Sequence, residues 1–114
     1  MRLAGDGVTR VHAQMDDAKF LDIYSQADVA LRNASSQQDF IDFMSAVHRK
    51  RGKVQSASRT RFFVNFTTSG TRVTLNYQTK FEGGDGQEQF LWHVSGAQAL
   101  LVGYHINSKA LILK

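Results

Sequence analysis

Apolar residues recur at helical spacing up to about residue 51 and alternate with polar ones after about residue 53, so the chain divides by period. In the first half, Val8, Val11, Met15 and Ala18 form one stripe, and Phe20, Ile23, Tyr24 and Ala27 form a second that is out of phase with it. A break near Asp16-Asp17 is therefore expected, where an aspartate can cap a new helix. Gly5 and Gly7 weaken the start of the first helix. The third helix has the clearest signals: Ser35 or Ser36 as N-cap, Gln38 or Asp39 three residues on, and then Phe40, Phe43, Met44 and Val47 along one face. It should stop after Arg49, Lys50 and Arg51, cations suited to the negative end of the helix dipole, with Gly52 in the left-handed position beyond.

The second half reads as four strands with one shared apolar face. Phe62, Val64 and Phe66 alternate with polar residues, as do Val73, Leu75, Tyr77 and Phe81, then Phe90, Trp92 and Val94, then Leu100, Val102, Tyr104 and Ile106. A turn at Ser69-Gly70 would pair Phe66 with Val73, and one at Asp85-Gly86 would pair Phe81 with Phe90. An odd loop at Gly96-Ala97-Gln98 would pair Val94 with Leu100 and Trp92 with Val102, so a bulge is expected there. The expected fold is α+β: three N-terminal helices cover a four-stranded antiparallel meander, in one domain spanning residues 1–114. Trp92, Tyr77, Tyr104 and several Phe would be buried against the third helix.

Composition narrows the chemistry. The chain has 114 residues, 42% of them hydrophobic, enough for one core, and no Pro, low-complexity linker or repeat marks a domain boundary. The absence of Cys excludes disulfides, thiol catalysis and thiolate metal sites. No run approaches the ~18 apolar residues of a membrane span, and the N-terminus lacks the sections of a signal peptide. The net charge of +4 favours acidic partners only in a general way.

The stretches DDAKFLDIYSQA, FIDFMSAVHRKRGKV and LLVGYHINS, within residues 8 to 108, resemble the cystatin-like, nuclear-transport-factor-2-like superfamily, particularly small bacterial domains of unknown function. The resemblance implies three helices followed by a curved meander, a periplasmic or envelope location behind a removed leader, and, in members that are enzymes, a cone-shaped pocket with an inward Asp or His. The inward sheet positions of this chain read as apolar or aromatic, which points away from catalysis.

The stretch HRKRGKVQSASRTR, His48 to Arg61, packs six Lys or Arg into fourteen residues. Half of these serve the end of the third helix. The rest contribute to a positive outward face on which Arg59 would lie beside Lys80 and Arg61 beside Gln78, with Arg72 further along and Phe63, Leu91, His93 and Leu101 sharing the surface. Readers of single-stranded nucleic acid interleave such charge with exposed aromatics; Phe63 alone qualifies here. His93 would pair with Leu101 and His105 with Gln89, about 13 Å apart at roughly 3.3 Å per residue, so they cannot share a metal ion. His12 and His48 have no ligand-spaced partners and read as surface residues. Asp16, Asp17 and Asp22 read as caps and solvated acids, and EGGDGQE as a flexible hairpin tip rather than a phosphate loop, because it joins two strands.

Three functions follow. The first is a non-catalytic binding module of the bacterial envelope, with no metal or cofactor. It would take a protein partner or second copy on the outer sheet face, or a small ligand in an aromatic pocket bounded by Tyr24, Tyr77, Trp92 and Tyr104. The second is a small-molecule enzyme with a pocket between helices and sheet. The third, disfavoured, is a nucleic-acid or anionic-surface binder.

Overall fold

Two short polar side chains set the breaks in the helical half. The computed structural model describes residues 2–107, beginning with α1 (Arg2–Asp16), α2 (Phe20–Ser25), α3 (Val29–Ala34) and α4 (Gln37–Arg51). The described residues thus form four helices, not three. Asp28 accounts for the extra one: its Oδ1 accepts from Ala30 N at 2.9 Å, capping α3, while its own N–H donates to the Leu101 carbonyl at 2.9 Å. The chain is thereby pinned to the sheet and restarts as helix. Ser36 caps α4 by accepting from Asp39 N at 3.1 Å, and Gly52 closes it at φ 77°, as the sequence indicates. The break after Asp16 is present, but no aspartate caps α2; Asp16 Oδ1 instead accepts from Val54 N at 3.0 Å, tying α1 to the first strand.

The strands β1 (Val54–Thr67), β2 (Gly70–Phe81), β3 (Gly84–Ser95) and β4 (Gln98–Asn107) form an antiparallel meander in the order β1-β2-β3-β4. Parity along β2 and β3 follows the alternation of the sequence, and the expected β3–β4 register holds from Gln89–His105 to Leu91–Gly103, but the two earlier hairpins have slid. Val64, not Phe66, faces Val73, so the first hairpin has moved by two residues. In the second, Phe90 faces Leu75 rather than Phe81, a slide of six. Its turn falls at Glu82-Gly83, not Asp85-Gly86, because Gly83 N donates to Arg51 O at 2.7 Å and Lys53 N to Glu82 Oε1 at 2.7 Å. A Cβ on Gly83 would stand 2.8 Å from the Lys50 carbonyl, so only glycine fits where the turn meets the end of α4. EGGDGQE is therefore a turn followed by the start of β3, not a flexible tip.

The described ladder has three register shifts, one at Gln55 near the start of β1 and two that move candidate surface residues between faces. Of these two, one lies between Arg59 and Arg61, where Thr60 is the extra residue on β1. The other sets Leu91 opposite Gly103 but Trp92 opposite Leu101, leaving Val102 extra on β4. The expected bulge thus exists, beyond a two-residue turn at Gly96-Ala97 rather than in it. Leu101 becomes core, at 2% exposure, and Leu100 faces His93.

The core lies between α1 and β2–β4. Phe90, Trp92, Leu75 and Met44 are fully buried. Helix α1, not α4, lies closest to the sheet, and α4 packs chiefly on α2. Gly7 makes the close approach possible, since a Cβ there would sit 2.5 Å from the Trp92 ring. The helices leave β1 uncovered: Phe62 is 53% and Phe66 81% exposed, and Val64 is exposed too. These three were expected in the core. They fail to reach it because the helical layer extends over β2 to β4 and stops short of the edge strand.

Candidate functional site

The register defines the outer face by rows across the sheet. Phe63, Thr74, Leu91 and Gly103 form one row, and Arg61, Asn76, Gln89 and His105 the next. Gln78, Gln87 and Asn107 form a third, and the intervening row of Tyr77, Glu88 and Ile106 points to the helices. Because alternate residues turn to opposite faces, the second and third rows flank a trough floored by the backbone of that intervening row. The trough measures about 530 Å³ and is open to solvent. Five carboxamides, one imidazole and one guanidinium line it. Carboxamides both donate and accept hydrogen bonds, so the wall suits hydroxyl, amide or oxyanion groups.

The residues singled out from the sequence fall partly here. Arg61 and Gln78 line the trough. Phe63, Arg72, Lys80, Leu91 and His93 share its face, although Lys80 sits opposite Ser56 and Asp85 rather than Arg59. Arg59 has left that face: the bulge at Thr60 turns it to the helix side opposite Tyr77, where its guanidinium lies 5.6 Å over the Phe62 ring. Leu101 has left it for the core. Asn76, Gln87, Gln89 and Asn107 were missed, although the pairing of Gln89 with His105 was legible. Isolated amides in alternating strands carry no signal until the register aligns them.

His93 is not a solvated surface residue. Its Nδ1 lies 3.0 Å from Asp28 Oδ2, and its Nε2 donates to Ser69 O at 2.8 Å. The Asp28 carboxylate, followed by the Ser69 carbonyl, holds the imidazole above its ordinary value. Asp28 is held below its own ordinary value, first by the Ala30 N–H and also by His93, against the opposing effect of burial. The contact joins the N-terminus of α3 to the β1–β2 turn.

Of the expected aromatic pocket, Tyr77, Trp92 and Tyr104 meet around Phe90, with ring centroids 5.9, 6.4 and 5.0 Å from it. The rings pack against one another and fill the space between them. Tyr24 stands apart, 5.5 Å from Phe40, with its hydroxyl 2.8 Å from the Ser35 carbonyl.

One buried polar cluster was not anticipated. Glu88, 1% exposed, accepts from Thr79 Oγ1 at 2.6 Å and from the Tyr104 hydroxyl, and lies 2.7 Å from His12 Nε2. His12 is thus a core residue, edge-on to Phe90, rather than a surface one. Burial first, then the negative charge of Glu88, pushes the Tyr104 phenol well above its ordinary range, so it remains a donor. Glu88 has the parity of Phe90 and Trp92, and the clue lay there; placing the turn at Asp85-Gly86 obscured it. The carboxylate is enclosed and has three protein partners, an arrangement that orders a core rather than engages a substrate.

Among the described residues no group of three His, Asp or Glu is placed to hold a metal ion, and no helix is long and apolar enough to cross a membrane. No protein-family model matches the sequence, and comparison with curated proteins finds no match, so function has to be argued from the geometry of the trough and the Glu88 cluster.

Proposed function

We propose that the chain is a non-catalytic binding module of the cystatin-like, nuclear-transport-factor-2-like kind, and that its working surface is the trough on the outer sheet face. The observation that carries this reading is the convergence of Arg61, Asn76, Gln89 and His105, one from each strand, along one wall of an open 530 Å³ groove. Such a wall recognises a polar ligand, neutral or anionic, by multiple hydrogen bonds. The enzyme reading has less support, because the inward ionisable group that it requires, Glu88, is enclosed and already engaged by His12, Thr79 and Tyr104. Nucleic-acid reading has less still, since Phe63 is the lone exposed aromatic among the described residues of that face.

The test is a titration of ¹⁵N-labelled protein with a neutral oligosaccharide, an uncharged peptide, polyphosphate and a single-stranded oligonucleotide. Binding should move the amide signals of Arg61, Asn76, Gln89 and His105, and Asn76→Ala with His105→Ala should weaken it about tenfold or more, with the fold intact. Shifts confined to other surfaces, or an unweakened double variant, would refute the proposal. Oligonucleotide binding that collapses with salt would instead identify an electrostatic nucleic-acid surface.

A further inference from the structure

Strand β1 carries an exposed apolar face that no part of the described chain covers. It forms an edge of the sheet, and its whole length from Gln55 to Thr67 is exposed. Long exposed edges are usually blunted by Pro, by charge or by a bulge. The bulge at Thr60 does this for the first half of β1, while the second half, Arg61 to Thr67, pairs regularly with β2 and places Phe62, Val64 and Phe66 on the helix side.

We infer that this half-strand is the interface of a homodimer in which two β1 strands pair antiparallel about a two-fold axis through Val64, joining two four-stranded sheets into one of eight. Three observations select a second copy and this register. First, the segment is self-complementary: with Val64 opposite its own copy, Phe62 faces Phe66 of the other chain and the reverse, so all three apolar residues meet apolar residues on one face. Moving the axis by one residue either way sets Phe66 against Thr60 or leaves Phe62 opposite the β1–β2 turn. Second, no like charges meet. Arg61 faces Thr67, and the two Arg61 side chains are six positions apart, roughly 20 Å, well beyond the screening length of about 8 Å. Third, the area is adequate. Burying Phe side chains of about 150–250 Å² each at the exposures of Phe62 and Phe66, 53% and 81%, removes roughly 400–670 Å² across both copies. Val64, Phe63 and the paired backbone of seven residues bring the interface toward the ~1,200 Å² of a small specific contact. An isologous interface of this kind closes at two subunits. Both helical layers then flank a strip of four Phe and two Val, and both polar troughs open on the opposite face.

Sedimentation equilibrium over a concentration series tests this. The expected result is a monomer–dimer equilibrium in the micromolar range with no larger species. Val64→Lys, which sets two ammonium groups together at the axis, should weaken it at least tenfold, and Phe66→Ser should weaken it too, both with the melting temperature unchanged in dilute solution, where the monomer prevails. The wild-type chain lacks Cys, so Val64→Cys should cross-link between chains on mild oxidation, whereas Thr67→Cys, whose copies lie about 20 Å apart in this register, should not. A monomer at all concentrations, a dimer indifferent to Val64→Lys, open-ended association, or equal cross-linking at both positions would each overturn the proposal.

Discussion

Replacing Tyr104 with Phe isolates one bond of the buried Glu88 cluster. The ring keeps its place against Phe90, 5.0 Å away, and Phe43, 6.2 Å away, because only the hydroxyl is removed. The loss is the hydrogen bond donated to Glu88 Oε2. Glu88 is 1% exposed, so no water replaces the missing donor. A hydrogen bond to a charged group contributes about 1.5–3 kcal/mol. For 114 residues at about 2.1 cal/mol/K per residue, each kcal/mol corresponds to roughly 4 °C, and Tm should fall by about 6–12 °C. Urea unfolding followed by circular dichroism should show the midpoint moving at unchanged slope, since the same surface is exposed. A Glu88→Gln background supplies the control. There the acceptor has lost its charge, and the same Tyr104→Phe change should cost at least about 0.5 kcal/mol less, the coupling expected of direct partners. A Tyr104→Phe variant within about 0.5 kcal/mol of wild type, or a cost equal in both backgrounds, would show that the hydroxyl is not bonded to a buried carboxylate.

The remaining expectations concern packing and pH. Gly7→Ala should destabilise by about 1–3 kcal/mol through overpacking on Trp92, which outweighs the gain of about 1 kcal/mol in helix propensity, whereas Gly5→Ala, with open space around it, should raise Tm; a stabilising Gly7→Ala would refute the close approach. Asp28→Ala removes both the α3 cap and the His93 contact and should cost about 1–2 kcal/mol in chemical denaturation; a loss below about 0.5 kcal/mol would show the cap to be idle. His93 titrates above its ordinary 6.5 when folded, so its contribution is full below 6.5 and disappears as pH rises through the folded value. Asp28 is shifted down, so its contribution is present above 3.8 and is lost as pH falls through the folded value. Stability from the pair should therefore plateau between these limits. The His93 ring-proton titration by NMR should have its midpoint above 6.5 and drop in Asp28→Asn, and a midpoint at or below 6.5 would exclude the contact.

The trough shows how a sheet hides its site from the sequence. Arg61, Gln78 and His105 are recognisable as outward by alternation alone, because parity survives any slide by an even number of residues. Which of them stand side by side is not recognisable, since slides of two and six preserve the buried face while changing every neighbour. Arg59 and Leu101 were misplaced for a different reason: Arg59 lies beyond the bulge at Thr60 as counted from the hairpin, and Leu101 lies between the turn and the extra residue Val102, so an odd residue expected in the turn reverses its face. The β1 bulge has no Gly or Pro beside it, whereas Gly103 directly follows the extra residue on β4.

What the sequence determined by itself was local: the change from helical to alternating period near residue 52, the cap at Ser36, the stop at Gly52, and the apolar parity of β2 and β3. These depend on residues within a few positions of one another, where backbone geometry and side-chain capping act directly. The tertiary structure decided the rest. The end of α4 chose Gly83 over Gly86 for the second turn, because its carbonyls accept the turn's N–H and leave no room for a side chain. That choice carried Glu88 into the core, where His12, Thr79 and Tyr104, distant in sequence, satisfy its carboxylate. The width of the helical layer left Phe62, Val64 and Phe66 exposed although their pattern is that of a buried strand. Alternation states that one face of a strand is apolar; whether a helix, another chain or solvent lies against it depends on how far the covering layer extends, a property of the packed whole.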